Sequence, residues 1–196
     1  MSALSIVYFS GSGHTAKMAE AVAQGARSVG GTKTELIVID GSDIVKGRYT
    51  NDGVIAQLDT SDAIIFGTPT FMGGPAAQFK AFADATVGSW FGQKWRDKLA
   101  AGFTVSGAPS GDKMSTLQYL HTLAMQHGMI WVGTGEMPGQ PNGVNRLGSW
   151  IGAMALAQPS ESPDVAPNRE DQLSGELLGK RVAHIVSSRL AKTNHN

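Results

Sequence analysis

Three stretches of this chain gather Gly, Ser, Thr and Pro where a ligand could be held by main-chain groups. They are Ser10-Gly11-Ser12-Gly13-His14-Thr15, Thr68-Pro69-Thr70-Phe71-Met72-Gly73-Gly74 and Ser106-Gly107-Ala108-Pro109-Ser110-Gly111. In the first, glycines let the backbone turn tightly and approach a ligand, successive N–H groups point inward, and the helix that follows adds partial positive charge at its N-terminus. The hydroxyls of Ser10, Ser12 and Thr15 can donate as well. That is chemistry for one phosphate group. It is not a GxxxxGK[ST] loop, and Gly11-x-Gly13 lacks the third glycine of the dinucleotide fingerprint. The same residues also suit a plain tight turn between a strand and a helix. Lys17 is the only cation nearby in sequence, on a helix face expected to be solvent-exposed, so an anion here would rest on N–H groups and hydroxyls. In the second stretch, Phe71 and Met72 are apolar side chains suited to stacking on a flat ligand, or to ordinary packing.

Other residues carry weaker signals. His127 precedes Gly128 at the end of an apolar stripe, where an imidazole can meet either the last helix carbonyls or a ligand. Trp90, Trp95, Trp131 and Trp150 are ligand platforms or plain core and interface aromatics. The chain has no Cys, which removes disulfides, thiolate nucleophiles and thiolate-bound metals, and no metal site is expected. No Ser-His-Asp pattern suggests a nucleophile.

The elements that would position these loops follow from periodicity. Leu4–Phe9 is a short strand rich in β-branched and aromatic residues that runs straight into the first loop. Met18, Ala19, Val22, Ala23, Ala26 and Val29 recur at helical spacing, and Gly30-Gly31 stops them. Thr34–Ile39, Ala63–Phe66, Leu99–Val105 and Met129–Val132 read as further strands. Helices are expected after Pro75, placed as a first-turn proline, over about 113–127, and from Asn168, a cap with Asp171 three residues on. The polar tail beyond Leu190 is expected to fray. Strands alternating with helices imply an α/β domain with a parallel sheet covered on both faces, whose ligand lies beyond the carboxyl ends of the strands where strand order reverses. The three Gly-rich stretches follow the first, third and fourth of these strands. The interval 138–167, with five of the eight prolines, is too long for an ordinary connection and reads as a functional flap or assembly loop within a single domain spanning 1–196.

Composition narrows the partners. Sixteen basic and sixteen acidic side chains cancel, and no Lys/Arg run could neutralise a nucleic acid or dock on an anionic leaflet, so neither nucleic acid nor membrane is expected. The N-terminal apolar run is too short for a signal or a span, which suggests a cytoplasmic protein.

The first loop followed by Met18-Ala19, the segment Asp62-Ala63-Ile64-Ile65-Phe66-Gly67-Thr68-Pro69-Thr70 and the triplet His127-Gly128-Met129 resemble the WrbA group of flavodoxin-fold NAD(P)H:quinone oxidoreductases over most of residues 4–190. The resemblance implies a flavodoxin-like, doubly wound, five-stranded parallel sheet of order 2-1-3-4-5 in three layers. It also implies FMN as cofactor, NAD(P)H as co-substrate and a quinone-like acceptor taking two electrons; a homodimer or homotetramer is expected from the apolar Trp150, Ile151, Met154 and Leu156 in the interval 138–167. Residues 10–15 would hold the FMN phosphate and Pro69, Thr70, Phe71, Met72 and Gly73 would lie along the ring. Ser106–Gly111 would approach the ring's polar edge, His127 would lie near the flavin, and Trp90 beside the substrate cavity. Relatives in that group carry Tyr where this chain has Ser12, Arg where it has Phe71 and Phe where it has Met72. The rival readings are a flavodoxin-type one-electron carrier and a flavodoxin-fold binding module that has lost FMN.

Overall fold

The computed structural model describes the backbone of residues 1–193 and the side chains of residues 1–189. The tail beyond Leu190, expected to fray, lies outside the described side chains. Strand β1 (Ser2–Tyr8) leads to helix α1 (His14–Arg27), then β2 (Thr32–Val38), a small hairpin of β3 (Ile44–Val45) and β4 (Arg48–Tyr49), and α2 (Asp52–Asp59). Strand β5 (Ala63–Phe71) turns back through β6 (Gly74–Pro75) into α3 (Ala77–Ala85) and α4 (Val87–Phe91). Strand β7 (Leu99–Ser106), α5 (Lys113–Gln126), β8 (Ile130–Trp131), β9 (Ala153–Leu156) and α6 (Arg169–Thr193) complete the chain. Among the described residues no helix is long and apolar enough to cross a membrane.

The sheet runs β2-β1-β5-β7-β8 and its main ladders are parallel, which is the expected 2-1-3-4-5 order. Period-two alternation explains the three layers. Leu4, Ile6 and Ile65 face the core under α1 and α6, while Val7, Ile64 and Phe66 face the core under α3 and α5. Phe66, Phe79, Phe82 and Trp95 form the aromatic centre of the second layer, with Phe66 edge-on to Phe79 at 6.3 Å.

The fifth strand position differs from expectation. Ile130–Trp131 pairs only with Leu99–Ala100, and Ala153–Leu156 continues the same edge by pairing with Phe103–Ser106. Part of the interval expected as a flap is therefore sheet. Residues 132–152 leave and return, and the excursion is closed by Trp131 Nε1 donating to the Ile151 carbonyl (2.7 Å) and Thr134 N to the Trp150 carbonyl (3.1 Å). Its alternating Ala153, Ala155 and Ala157 are buried, which a mostly polar loop would not do. Pro75 is likewise not the first residue of a helix: it pairs with Thr70, and α3 begins two residues later.

Helices α1 and α6 meet through glycines. A Cβ on Gly25 would stand 1.8 Å from the Glu176 carbonyl oxygen, and one on Gly179 would stand 2.0 Å from that of Val22. Both obstacles are backbone, so neither can rotate away. Gly25→Ala is expected to destabilise the fold by about 3 kcal/mol through overpacking, whereas Gly30→Ala, with nothing near its Cβ position, should change stability by less than about 0.5 kcal/mol. Urea unfolding midpoints of the two variants check this contrast, and equal midpoints would disprove the backbone contact.

Candidate functional site

Strand β1 ends at Tyr8, paired with Gly67 of β5, while β5 continues beside β7 as far as Pro69. Past Gly67 β1 no longer pairs with β5, so Pro69 loses no bond to β1 by lacking an N–H. The first loop turns away into this gap. Gly13 takes φ +88° before α1, and the Ser10 hydroxyl oxygen accepts from the N–H groups of Gly13 and Ala16, both at 3.1 Å. Among the described residues, the N–H groups of Gly11, Ser12, His14 and Thr15 have no partner within the chain. Four free donors at the head of a 14-residue helix are the kind of group that can hold an anion.

His14 is buried rather than exposed in the turn. Its Nε2 lies 2.9 Å from the Glu161 carbonyl oxygen and its Nδ1 lies 3.0 Å from Ser12 Oγ. A carbonyl only accepts, so Nε2 carries the proton and, in the neutral ring, Nδ1 accepts from Ser12. The Ser12 hydroxyl, expected to donate to the ligand, is thus engaged with His14, while the Ser10 hydroxyl proton remains available. Segment 157–165 straps across the loop: Lys17 Nζ donates to the Asp164 carbonyl (2.7 Å), and Pro163 sits 2.6 Å from where a Gly13 Cβ would stand.

In the second stretch, Phe71 and Gly74 pair across a tight turn at Met72 (φ +47°) and Gly73 (φ +80°). The tip is open and apolar: Phe71 is 52% exposed and Met72 entirely so, and the Phe71 ring reaches to 3.6 Å from the Gly11 Cβ position. Thr70 points the other way. Its hydroxyl lies 2.8 Å from those of Thr104 and Thr116, and Thr104 Oγ1 donates to the Thr68 carbonyl (2.7 Å), a buried hydroxyl cluster that fixes the hairpin to β7 and α5. The third stretch, Ser106–Gly111, stands beside this hairpin: Ser115, on the first turn of α5, donates to the Gly73 carbonyl. Ala108, Pro109 and Ser110 are exposed. Beneath them lies a residue that sequence reasoning passed over, the fully buried Lys113, whose ammonium donates to the Ala108 and Pro109 carbonyls. A lysine on the first turn of a helix is an ordinary surface residue by pattern, and only its packing distinguishes it.

His127 and Trp90 do not join these loops within one chain. Helix α5 carries 14 residues, about 21 Å, from the third loop down to His127 at the amino ends of the strands, where Gly128 O accepts from Asp97 N. There His127 stacks on Trp95 (centroids 4.2 Å apart), its Nε2 is 2.9 Å from Thr86 Oγ1, and it lines a small cleft with Trp90 and Val87. Within one chain the helix that carries His127 starts beside the third loop and ends at the opposite edge of the sheet, so His127 meets none of the three loops of its own chain.

The profile of the NADPH-dependent FMN reductase family matches residues 4–140, from β1 through the three loops and α5. This chain belongs to that family. As a member of the NADPH-dependent FMN reductase family it is an oxidoreductase that works with FMN and NAD(P)H. It is 42% identical to a flavodoxin, WrbA-like protein from Agrobacterium tumefaciens, with a TM-score of 0.75 over 96% of this chain and 99% of that one. It is 39% identical over 190 residues to flavodoxin FldP of Pseudomonas aeruginosa (94% of this chain, 97% of the relative). It is 33% identical over 199 residues to an NAD(P)H dehydrogenase (quinone) of Paracoccus denitrificans (95% and 94%).

The His127 environment makes a pH prediction. Thr86 Oγ1 donates to the Ala83 carbonyl and therefore accepts from Nε2–H, which leaves Nδ1 buried without a partner. Burial pulls the imidazole down to about 4, with the Asp59 carboxylate acting weakly the other way. Unfolded, the ring titrates near ~6.5, so between these values the unfolded chain binds a proton that the folded chain does not. The His127 contribution is fully present above about pH 6.5 and is lost as pH falls towards 4, about 2 kcal/mol of it by pH 5. Urea unfolding of the wild type and His127→Gln at pH 7 and pH 5 checks it: the variant should lose less stability on acidification.

Proposed function

We propose that this chain binds FMN at the carboxyl edge of the sheet and passes two electrons from NAD(P)H to a quinone-like acceptor. The observation that carries the reading is an N–H cradle at the head of α1 lying against an open apolar hairpin tip. Residues 10–15 fit a phosphate: Gly11, Ser12, His14 and Thr15 offer free N–H groups, Gly13 gives the turn its left-handed backbone, and the Ser10 hydroxyl both braces the loop and can donate to a phosphate oxygen. Pro69, Phe71, Met72 and Gly73 fit one side of a flat ring, with Thr70 acting from beneath through its hydroxyl cluster. Ser106, Gly107, Ala108, Pro109, Ser110 and Gly111 fit the ring's polar edge. Bound FMN supplies the redox chemistry, and the protein's part is to hold it, orient it and leave the hairpin side open to a second substrate.

The quinone dehydrogenase of Paracoccus denitrificans supports a quinone acceptor. A second reading, a one-electron carrier, is favoured by the likeness to the Pseudomonas aeruginosa flavodoxin, and is disfavoured by a net charge of zero, since carriers gain from a charged docking face. The same balance gives nucleic acid and anionic membranes no hold, and a chain without Cys suits the cytoplasm.

Apoprotein titrated with FMN should quench flavin fluorescence at a saturable site, bind riboflavin far more weakly, and oxidise NADPH or NADH in the presence of benzoquinone. Ser10→Ala should weaken FMN by about tenfold to a hundredfold and leave riboflavin unchanged, because hydrogen bonds to a charged group are worth about 1.5–3 kcal/mol. Equal binding of FMN and riboflavin would remove the cradle. FMN binding without turnover of either nicotinamide would leave the carrier.

We also propose a homo-oligomer. Trp90 and Phe91, with rings 4.6 Å apart, stand exposed beside Val87 at the amino edge of the sheet, and Trp150 is 52% exposed on the excursion. Trp90 can meet a substrate cavity only from a neighbouring copy. Light scattering should give a multiple of 20.6 kDa, and a monomer at high concentration would end the proposal.

A further inference from the structure

Lys113 is the first residue of α5 and has no exposed surface. A cation there runs against the helix dipole, which favours negative charge at an N-terminus, and it is removed from water as well. Local preference therefore argues against it twice. What it gains are the carbonyls of Ala108 and Pro109, both drawn inward to its ammonium. In a trans peptide the C=O and N–H point in opposite directions. Drawing in the Pro109 carbonyl turns the Ser110 N–H outward, to the exposed face of the loop. The charged groups that act on Lys113 are the Asp171 carboxylate at the start of α6 and the Arg146 guanidinium on the excursion between β8 and β9. These two pair with each other at 2.7 Å, and Asp171 also accepts from Leu156 N (2.8 Å).

We propose that Lys113 is a positioning residue for the cofactor: it holds loop 106–111 with its donors facing the flavin's polar edge and, as a buried cation behind that loop, favours the reduced over the oxidised flavin. The inference rests on the FMN reading of the site. A positive charge close to the ring in a medium poorer than water stabilises the negative charge that reduction brings. Burial pulls the Lys113 amine down to about 8, with Asp171 opposing and Arg146 reinforcing the shift. The neutral amine can still donate to both carbonyls, so loop geometry survives deprotonation while the field is lost.

The test is FMN titration followed by spectroelectrochemistry on the FMN-loaded wild type and Lys113→Met. The variant should bind oxidised FMN about tenfold more weakly. Its reduced-to-oxidised affinity ratio should fall about tenfold, which for a two-electron couple lowers the midpoint potential by ~30 mV. In the wild type, the potential of bound FMN should fall more steeply with pH above about 8 than that of free FMN, a readout that needs no variant and stands if Lys113→Met fails to fold. A wild type that binds no FMN overturns the FMN reading and this inference with it. A wild type that binds FMN but shows no bend near pH 8, or a folded Lys113→Met with the wild-type potential, overturns the role of Lys113 alone.

Discussion

The carboxyl edge of this sheet depends on one mismatch of length. Strand β5 is paired with both β1 and β7 as far as Gly67; beyond it β1 has ended, β7 pairs as far as Pro69, and Thr70 and Phe71 pair with β6. The chain leaving β1 must therefore turn outward beside a half-bare strand, and the chain leaving β5 must turn at once into a hairpin supported from β7. The crossover from β1 goes to one face and that from β5 to the other, so a crevice opens between them. The N–H cradle of the first loop and the apolar tip of the hairpin are its two walls, with Phe71 lying against Gly11.

That edge is held by polar groups buried beneath it. Thr70, Thr104 and Thr116 exchange hydroxyl contacts at 2.8 Å, Lys113 gathers two carbonyls, and Asp171 receives Arg146 and Leu156 N while Asn168 caps its helix. Such groups cost desolvation and stabilise little in net terms, but each has only one arrangement that satisfies it. They fix the direction in which loops rich in Gly and Ser present their free donors, which apolar packing alone would leave loose.

The split fifth strand has the same logic. A Cβ on Gly152 would stand 2.4 Å from the Gly102 carbonyl oxygen, and one on Gly133 would stand 2.4 Å from that of Trp150. Glycine on both flanks lets the chain leave the edge after β8 and return to it as β9. The excursion brings Arg146 to Asp171, and the chain beyond β9 brings Glu161 and Pro163 over the first loop.

The main strands, the layering and the three ligand-type loops were legible in the sequence because they follow from local signals: the short apolar run Leu4–Phe9, helical spacing in Met18–Val29, and Gly-Ser-Thr runs at strand ends; the strand order came with the family resemblance. Asn168 as a cap was legible for the same reason, since a cap is an interaction between near neighbours. The contacts that gave Ser12, His14, Lys113 and His127 their places were not. Ser12 gives its hydroxyl proton to His14 because a carbonyl 147 residues away holds the other ring nitrogen, and Lys113 is buried because a loop and a distant excursion close over it. His127 sits at the opposite end from the loops of its own chain because helix length and direction, not sequence neighbourhood, set where a side chain arrives. Local pattern determined which elements form and which loops could hold a phosphate, since those depend on residues a few positions apart. Tertiary structure alone decided which donors stay free and which cations are buried, since those depend on groups that only folding brings within hydrogen-bonding distance.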